Sequence, residues 1–280
     1  LIKSKEVLIK EVIEFYLEKI NNYNPSLNAI VLQKNEEVIL EEASSKDKQS
    51  KDKIKPLFGL PLACKDLFDV EGLPSTYGFP KFKNNIAKKN SLIVDRLENN
   101  GAIIIGKTNT AELGVGGHTT NRLFGPTSNA FNISKSAGGS SGGAATAVAA
   151  GLLPFADGTD MMGSCRAPAA YANIYGFRPT TGLIPSDRSN EKKLNKLPIL
   201  TTPGCFARTP EDMSILLDCI VGIDPLDPFS VKVDGSFKAT TLNENQFSKI
   251  KVGWLSDLSN NYEFEIEIID MCEKKLNDLN

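Results

Sequence analysis

A single histidine, His118, is all the imidazole this sequence contains. That scarcity excludes most transition-metal sites built on imidazole. It also leaves any nucleophile that relies on an imidazole base with one candidate only. The five cysteines, Cys64, Cys165, Cys205, Cys219 and Cys272, are odd in number and form no Cys-x-x-Cys pair. A reduced, cytoplasmic compartment is therefore expected. No apolar run approaches the roughly 18 residues of a membrane span. The opening stretch LIKSKEVLIKEVIEF is amphipathic and unlike a cleavable signal peptide. With a formal net charge of −2 and lysines scattered singly or in surface-like runs, there is no basic stripe of the kind that holds nucleic acid.

What is present is the composition of a soluble globular protein: 41% hydrophobic and 24% charged over 280 residues. That length allows one large domain or two ordinary ones. The missing initiator Met, and an end at Asn280 with no helix stop signal, suggest a domain cut at both termini.

Helical spacing of Leu8, Val12, Phe15, Tyr16 and Ile20 predicts a helix over residues 4–20, stopped before Pro25. A strand over 27–32 and a helix over 35–43 follow. The lysine- and serine-rich stretch 43–56 should be a solvated loop, in which the Ser-x-x-Lys spacing of Ser45 and Lys48 is chance. Residues 59–64 form an apolar run short enough for a buried strand. That strand delivers Lys65 and Asp66 at its end, although a lysine in that position, taken alone, reads as a snorkelling surface residue. A helix over 91–100, stopped by Gly101, leads into a strand over 102–105.

Beyond Gly138 the pattern gives a helix over 142–150, a strand over 153–156, a turn through 158–163, and a helix opening at Ser164 with Pro168 tolerated in its first turns. Thr209, Pro210, Glu211 and Asp212 mark a helix start, with a capping hydroxyl, proline at the first position and then acids. That helix should reach about residue 221, with a further strand at 251–255 and an amphipathic helix from 263 to the end. Alternating strands and helices predict an α/β class, a mixed sheet covered by helices on both faces.

The densest feature is the segment 138–168, GGSSGGAATAVAAGLLPFADGTDMMGSCRAP. Ordering glycine costs conformational entropy, so a Gly-Gly-Ser-Ser-Gly-Gly cluster implies backbone in unusually close approach to something. Two patterns nearby mislead. GAIIIGKT at 101–108 has phosphate-loop spacing, but Ala-Ile-Ile-Ile prefers a buried strand to a loop of exposed amides. Gly139-Ser140-Ser141-Gly142-Gly143 fits a Gly-x-Ser-x-Gly elbow, yet a hydrolase of that type needs its histidine downstream of the serine, and His118 lies upstream. A serine nucleophile here needs another base, and lysine is the available one.

From residue 59 to 179 the chain resembles the amidase signature family. The pieces that carry the resemblance are GLPLACKD, GAIIIGKTNTAEL, FGPTSN, GGSSGGAATAVAAG and GTDMMGSCRAPAA running into YGFRPTTGLIP, and it continues through TPGCFARTPEDMSILLDCI. It implies the amidase signature fold in a single domain, with its core over about 59–221. It also implies a Ser-Ser-Lys catalytic set, in which Ser164 is the acylated nucleophile, Ser140 the bridging serine after a cis peptide bond, and Lys65 the general base. The turn of Met161, Met162 and Gly163 before the next helix would offer amides to the oxyanion. Two methionines stand where many relatives carry threonine and glycine, which bears on pocket shape. Asp160 and Arg166 are near enough to pair and hold that turn. Cys165 reads as a buried hydrophobe and His118 as a packing residue.

The function so implied is hydrolysis of a small-molecule carboxamide through an acyl-enzyme. The alternative is the A subunit of a glutamine-dependent aminoacyl-tRNA amidotransferase, which uses the same triad but hands ammonia to a partner. A phosphate-binding module lacks acidic metal partners, and a degenerate, binding-only member is opposed by the intact Lys65, Ser140 and Ser164. No metal, no cofactor, no direct nucleic-acid contact and no membrane association are expected, and a homodimer is the one self-association entertained.

Overall fold

The computed structural model of the chain describes residues 1–50, 54–186, 200–238, 246, 249–255 and 263–277. The chain forms two compact units, Leu1–Lys238 and Ala239–Asn280. In the first unit the elements run α1 (Ile9–Leu27), β1 (Ile30–Gln33), α2 (Glu36–Asp47), β2 (Pro61–Lys65), α3 (Leu92–Asn99), β3 (Ile103–Thr108), α4 (Gly142–Ala149), β4 (Phe155–Asp160), α5 (Arg166–Tyr171), β5 (Tyr175–Phe177), β6 (Thr202–Ala207) and α6 (Pro210–Ile220). The second unit contributes α7 (Ile266–Asn277). Among the described residues, no helix is long and apolar enough to cross a membrane.

The mixed α/β class is as expected, but the described strands form two three-stranded sheets rather than one. In the first, of order β1-β3-β2, β3 pairs antiparallel with β1 and parallel with β2. The second, of order β4-β6-β5, is antiparallel throughout. β2 packs beside β4, and the main-chain N–H of Lys65 donates to Asp157 Oδ1 at 2.7 Å across that junction.

Both faces of the β2–β3 pair are buried. Ala63, Ile103 and Ile105 share one apolar cluster with α1 and α4, and Leu62, Cys64 and Ile104 share the other with α3 and α6. Successive strand residues point to opposite faces. Lys65 therefore belongs to the Ala63 face, the side on which α4 lies.

Several boundaries differ from the sequence reading, some of them for a polar reason. α1 begins at Ile9 because the amides of Ile9 and Lys10 donate to the Asp47 carboxylate at 2.7 and 3.1 Å, which caps the helix from the end of α2. It continues through Pro25 and ends at Asn28, whose left-handed backbone (φ 50°) directs its N–H to Asn24 O at 2.7 Å. β3 runs on through Lys107 and Thr108, and β4 on through Asp160, where a polar run had suggested an earlier end or a turn. The two charged side chains among them are buried with partners from elsewhere in the fold, Lys107 with Asp66 and Asp160 with Arg166 and Arg178. Lys107 Nζ lies 2.5 Å from Asp66 Oδ1, with both side chains out of contact with solvent. α2 extends to Asp47, into the expected loop, and α5 opens at Arg166 rather than Ser164. Residues 251–255 form no strand.

The glycine cluster is a close-approach device, as its composition implied. α4 is buried from Gly142 to Val148. A Cβ on Gly143 would stand 2.6 Å from Asn109 O and 2.7 Å from Ala29 O, and one on Gly139 would stand 2.7 Å from His118 N. These are main-chain atoms that cannot swing aside. Replacing glycine by alanine inside a helix normally stabilises by about 0.5–1 kcal/mol. Gly143→Ala should instead destabilise by about 1–3 kcal/mol through overpacking, as measured by urea unfolding at 25 °C. A neutral or stabilising result would show that α4 can retreat from β1 and β3.

Candidate active site

Lys65 ends β2 wholly buried, and its amine is enclosed by hydroxyl groups. Nζ lies 2.8 Å from Ser140 Oγ, 2.6 Å from Ser141 Oγ and 2.8 Å from Thr159 Oγ1. Ser140 and Ser141 sit at the entry to α4, where the Gly139–Ser140 peptide is cis, and Thr159 comes from β4. The sequence reading placed Lys65 and Ser140 together, and here they are hydrogen-bonded. Ser141 and Thr159 went unrecognised as partners. The signal for Thr159 was hidden because residues 158–163 read as a turn, which gives no side-chain alternation; as a strand, Asp157 and Thr159 share a face.

Hydroxyls donate as well as accept. The cage can therefore satisfy three N–H donors of an ammonium, or two donors and one lone pair of a neutral amine. Burial drives the Lys65 amine down to about 8, against smaller opposing effects of Cys165, Asp157 and Asp160. Asp157, whose Oδ1 accepts the Lys65 main-chain N–H, is buried on β4, its carboxyl pushed up to about 6 chiefly by burial.

Ser164 lies half-buried in the turn between β4 and α5. Its hydroxyl makes no hydrogen bond among the described residues. The turn is built around the carboxylate of Asp160, which accepts from the amides on either side of Ser164, Gly163 N–H at 2.8 Å and Cys165 N–H at 3.1 Å. Arg166 closes on the same carboxylate through Nε at 3.1 Å and Nη2 at 3.0 Å. Arg178 adds a contact to Asp160 Oδ1 at 3.3 Å and another to Met161 O at 3.3 Å. Burial alone would raise the Asp160 carboxyl, but Arg166 and the two amides outweigh it and hold it well below the usual carboxylate range.

This geometry alters one expectation. The Gly163 amide, counted among the oxyanion donors, is engaged by Asp160, whereas the amides of Met161, Met162 and Ser164 have no acceptor among the described residues. The Met161 and Met162 side chains are 40% and 85% exposed. Cys165 is a buried hydrophobe as expected, its thiol pushed up to about 12 by burial. His118 is exposed, with Nδ1 2.7 Å from Ser136 Oγ. The phosphate-loop pattern at 101–108 is buried β3, and its Lys107 is committed to Asp66, Pro74 O and Ser75 Oγ.

Known proteins share this sequence and arrangement. An acylamidase from Rhodococcus erythropolis is 37% identical over 273 residues, which cover 97% of this chain and 56% of that protein. The A subunit of glutamyl-tRNA(Gln) amidotransferase from Caldanaerobacter subterraneus is 37% identical over 246 residues, 88% of this chain and 49% of that protein. Among solved structures, a bacterial aryl acylamidase of the amidase signature enzymes superposes with a TM-score of 0.78 at 35% identity, covering 84% of this chain and 49% of its own. The 6-aminohexanoate cyclic dimer hydrolase gives 0.79 at 26% identity, covering all of this chain and 57% of its own. The chain thus spans about half the length of the curated relatives it matches. Since the amidase family model matches residues 11–280, and the aligned relatives cover nearly the whole chain, the protein belongs to the amidase family of amidase signature enzymes.

Proposed function

We propose that the protein is an amidohydrolase that cleaves a carboxamide C–N bond through an acyl-enzyme on Ser164. The observation that carries this reading is the 2.8 Å hydrogen bond between the buried amine of Lys65 and Ser140 Oγ. As Ser164 Oγ attacks the carbonyl carbon, its proton passes to Ser140 Oγ, and the proton of Ser140 passes to neutral Lys65 Nζ. The carbonyl oxygen becomes an oxyanion, for which the free amides of Met161, Met162 and Ser164 are the donors at hand. Collapse of the tetrahedral intermediate breaks the C–N bond, and the leaving nitrogen takes the proton back along the same relay. Water then repeats the sequence on the ester and releases the acid. Because backbone amides do not depend on side-chain identity, the Met161-Met162 pair leaves this role intact.

For substrate, the reading favours an apolar or aromatic carboxamide acted on by a stand-alone enzyme. An amidotransferase A subunit must accept glutamine's α-ammonium and α-carboxylate, and polar recognition rejects misfits far better than apolar surface does. Thioethers beside the nucleophile offer soft, adaptable apolar surface instead. The similarity to an acylamidase and to an aryl acylamidase supports the same choice.

Three outcomes follow. A fluorophosphonate probe should label Ser164 and no other serine. Ser164→Ala should abolish that labelling, and Ser140→Ala should slow it by about 10²–10⁴ while the protein stays folded. Mass spectrometry of the labelled peptide decides, and labelling undiminished in Ser164→Ala would refute the assignment.

The second outcome is a pH profile. A base must be unprotonated to act, so kcat/KM should rise with pH through the Lys65 value of about 8, above the histidine reference of about 6.5. His118→Ala should leave this rise in place and Lys65→Met should remove it; the reverse pattern would overturn the mechanism.

The third is a substrate comparison. The purified protein should hydrolyse anilides or benzamide-type amides in preference to glutamine. Glutaminase activity that appears only with a partner subunit and charged tRNA, with no turnover of simple amides, would establish the amidotransferase alternative.

A further inference from the structure

The relay above uses Lys65, Ser140 and Ser164 and gives no task to Asp157, yet Asp157 is 1% exposed in the middle of β4. Oδ1 accepts the Lys65 main-chain N–H at 2.7 Å. Oδ2 has no hydrogen-bond partner among the described residues, and the Cys64 thiol interacts with the same carboxyl. A buried carboxyl oxygen without a donor is destabilising, and an apolar side chain at this position would avoid the cost.

The other buried charges around it are already balanced. Lys107 is paired with Asp66, and Asp160 with Arg166 and Arg178. Among the described residues around it, Lys65 and Asp157 are the two that remain, one of each sign, on strands packed side by side. We propose that Asp157 is a positioning residue for the general base: its carboxylate pins the Lys65 main chain and supplies the buried negative charge against which the amine takes up and releases its proton. The inference rests on Lys65 being that base.

The chemistry calls for such a charge. Each acylation turns Lys65 from amine to ammonium where no water reaches it, and a nearby carboxylate stabilises the ammonium form. The ionisable groups that act on Lys65 and Asp157 come from every neighbouring element: Cys64 from β2, Lys107 from β3, Asp160 from β4, Cys165 from the following turn and Cys205 from β6. The three thiols are all buried and pushed upward, chiefly by burial, so they stay neutral over the working range. Burial holds Lys65 low and Asp157 high, while each of the two favours the charged form of the other.

The test reads pH dependence, which a merely structural aspartate would not move. Asp157→Asn keeps an acceptor oxygen for the Lys65 N–H and removes the charge. Without the carboxylate the ammonium is less favoured, so the neutral amine persists to lower pH. The rise of kcat/KM for an anilide should therefore shift down by about one pH unit, with Ser164 still labelled by the fluorophosphonate. A folded, labelled Asp157→Asn enzyme with an unmoved inflection would overturn the proposal.

Failure of Ser164 to label in the unmodified protein would instead bring down the relay itself, and this inference with it. A second measurement needs no variant. In protein carrying 13C-labelled lysine, the Lys65 signal should titrate in two steps, one of its own and one where Asp157 ionises, because coupled groups share macroscopic titrations. A single-step curve would count against the coupling as decisively as an unmoved inflection.

Discussion

An amine sealed from water is the constraint on which the rest of this structure depends. Removing the Lys65 side chain from solvent is unfavourable for its charged form, and the protein meets that cost with groups rather than with a full counter-ion in contact. Three hydroxyls, from two positions at the entry of α4 and one in β4, must reach the same nitrogen. They do so only if α4 lies almost against the main chain of β1 and β3, which the glycines of 138–143 permit. The hydroxyl cage thus fixes a packing distance, and the packing distance fixes the residue types.

The same constraint explains why Lys65 and its chain neighbour Asp66 do not neutralise each other. Successive residues along an extended segment leave on opposite sides, so Asp66 is directed to Lys107, Thr76 N–H and Thr76 Oγ1. The two lysines, 65 and 107, share burial but not environment. Lys107 faces a carboxylate at 2.5 Å and serves as an ion that holds the end of β2. Lys65 faces hydroxyls and can exist as an amine. One network cancels its charge in place, and the other surrounds its amine with hydroxyls.

Much of this could be read from the residues. The apolar run 59–64 announced β2 and set Lys65 at its end, the glycine cluster announced close approach, and Thr209-Pro210-Glu211-Asp212 announced α6, whose Thr209 Oγ1 accepts the Asp212 N–H at 3.1 Å. What could not be read were the places where polar residues are buried in strands. Lys107, Asp157, Thr159 and Asp160 each look like the end of an element to a reading based on hydrophobic runs. For the first three the partners lie far away in sequence, at Asp66 and Lys65, and no local pattern reports them; only the Asp160–Arg166 pair was within local reach. The same blindness shortened β3 and β4 and hid two of the three hydroxyls around the amine.

The turn that bears Ser164 separates a main chain held from several sides from side chains that the fold leaves largely unconstrained. Asp160 clamps the amides of Gly163 and Cys165, Arg166 and Arg178 clamp Asp160, and Arg178 also reaches Met161 O, so the path of the backbone through Ser164 is set, among the described residues, without a hydrogen bond from the side chains of residues 161 and 162. Their amides have no acceptor among the described residues, and the Met162 side chain points where packing makes little demand, at 85% exposure. A position whose main chain carries chemistry and whose side chain carries no structural duty can change identity at little cost to the fold. On the proposed mechanism, specificity can therefore be adjusted beside Ser164, on a turn whose geometry is held from behind.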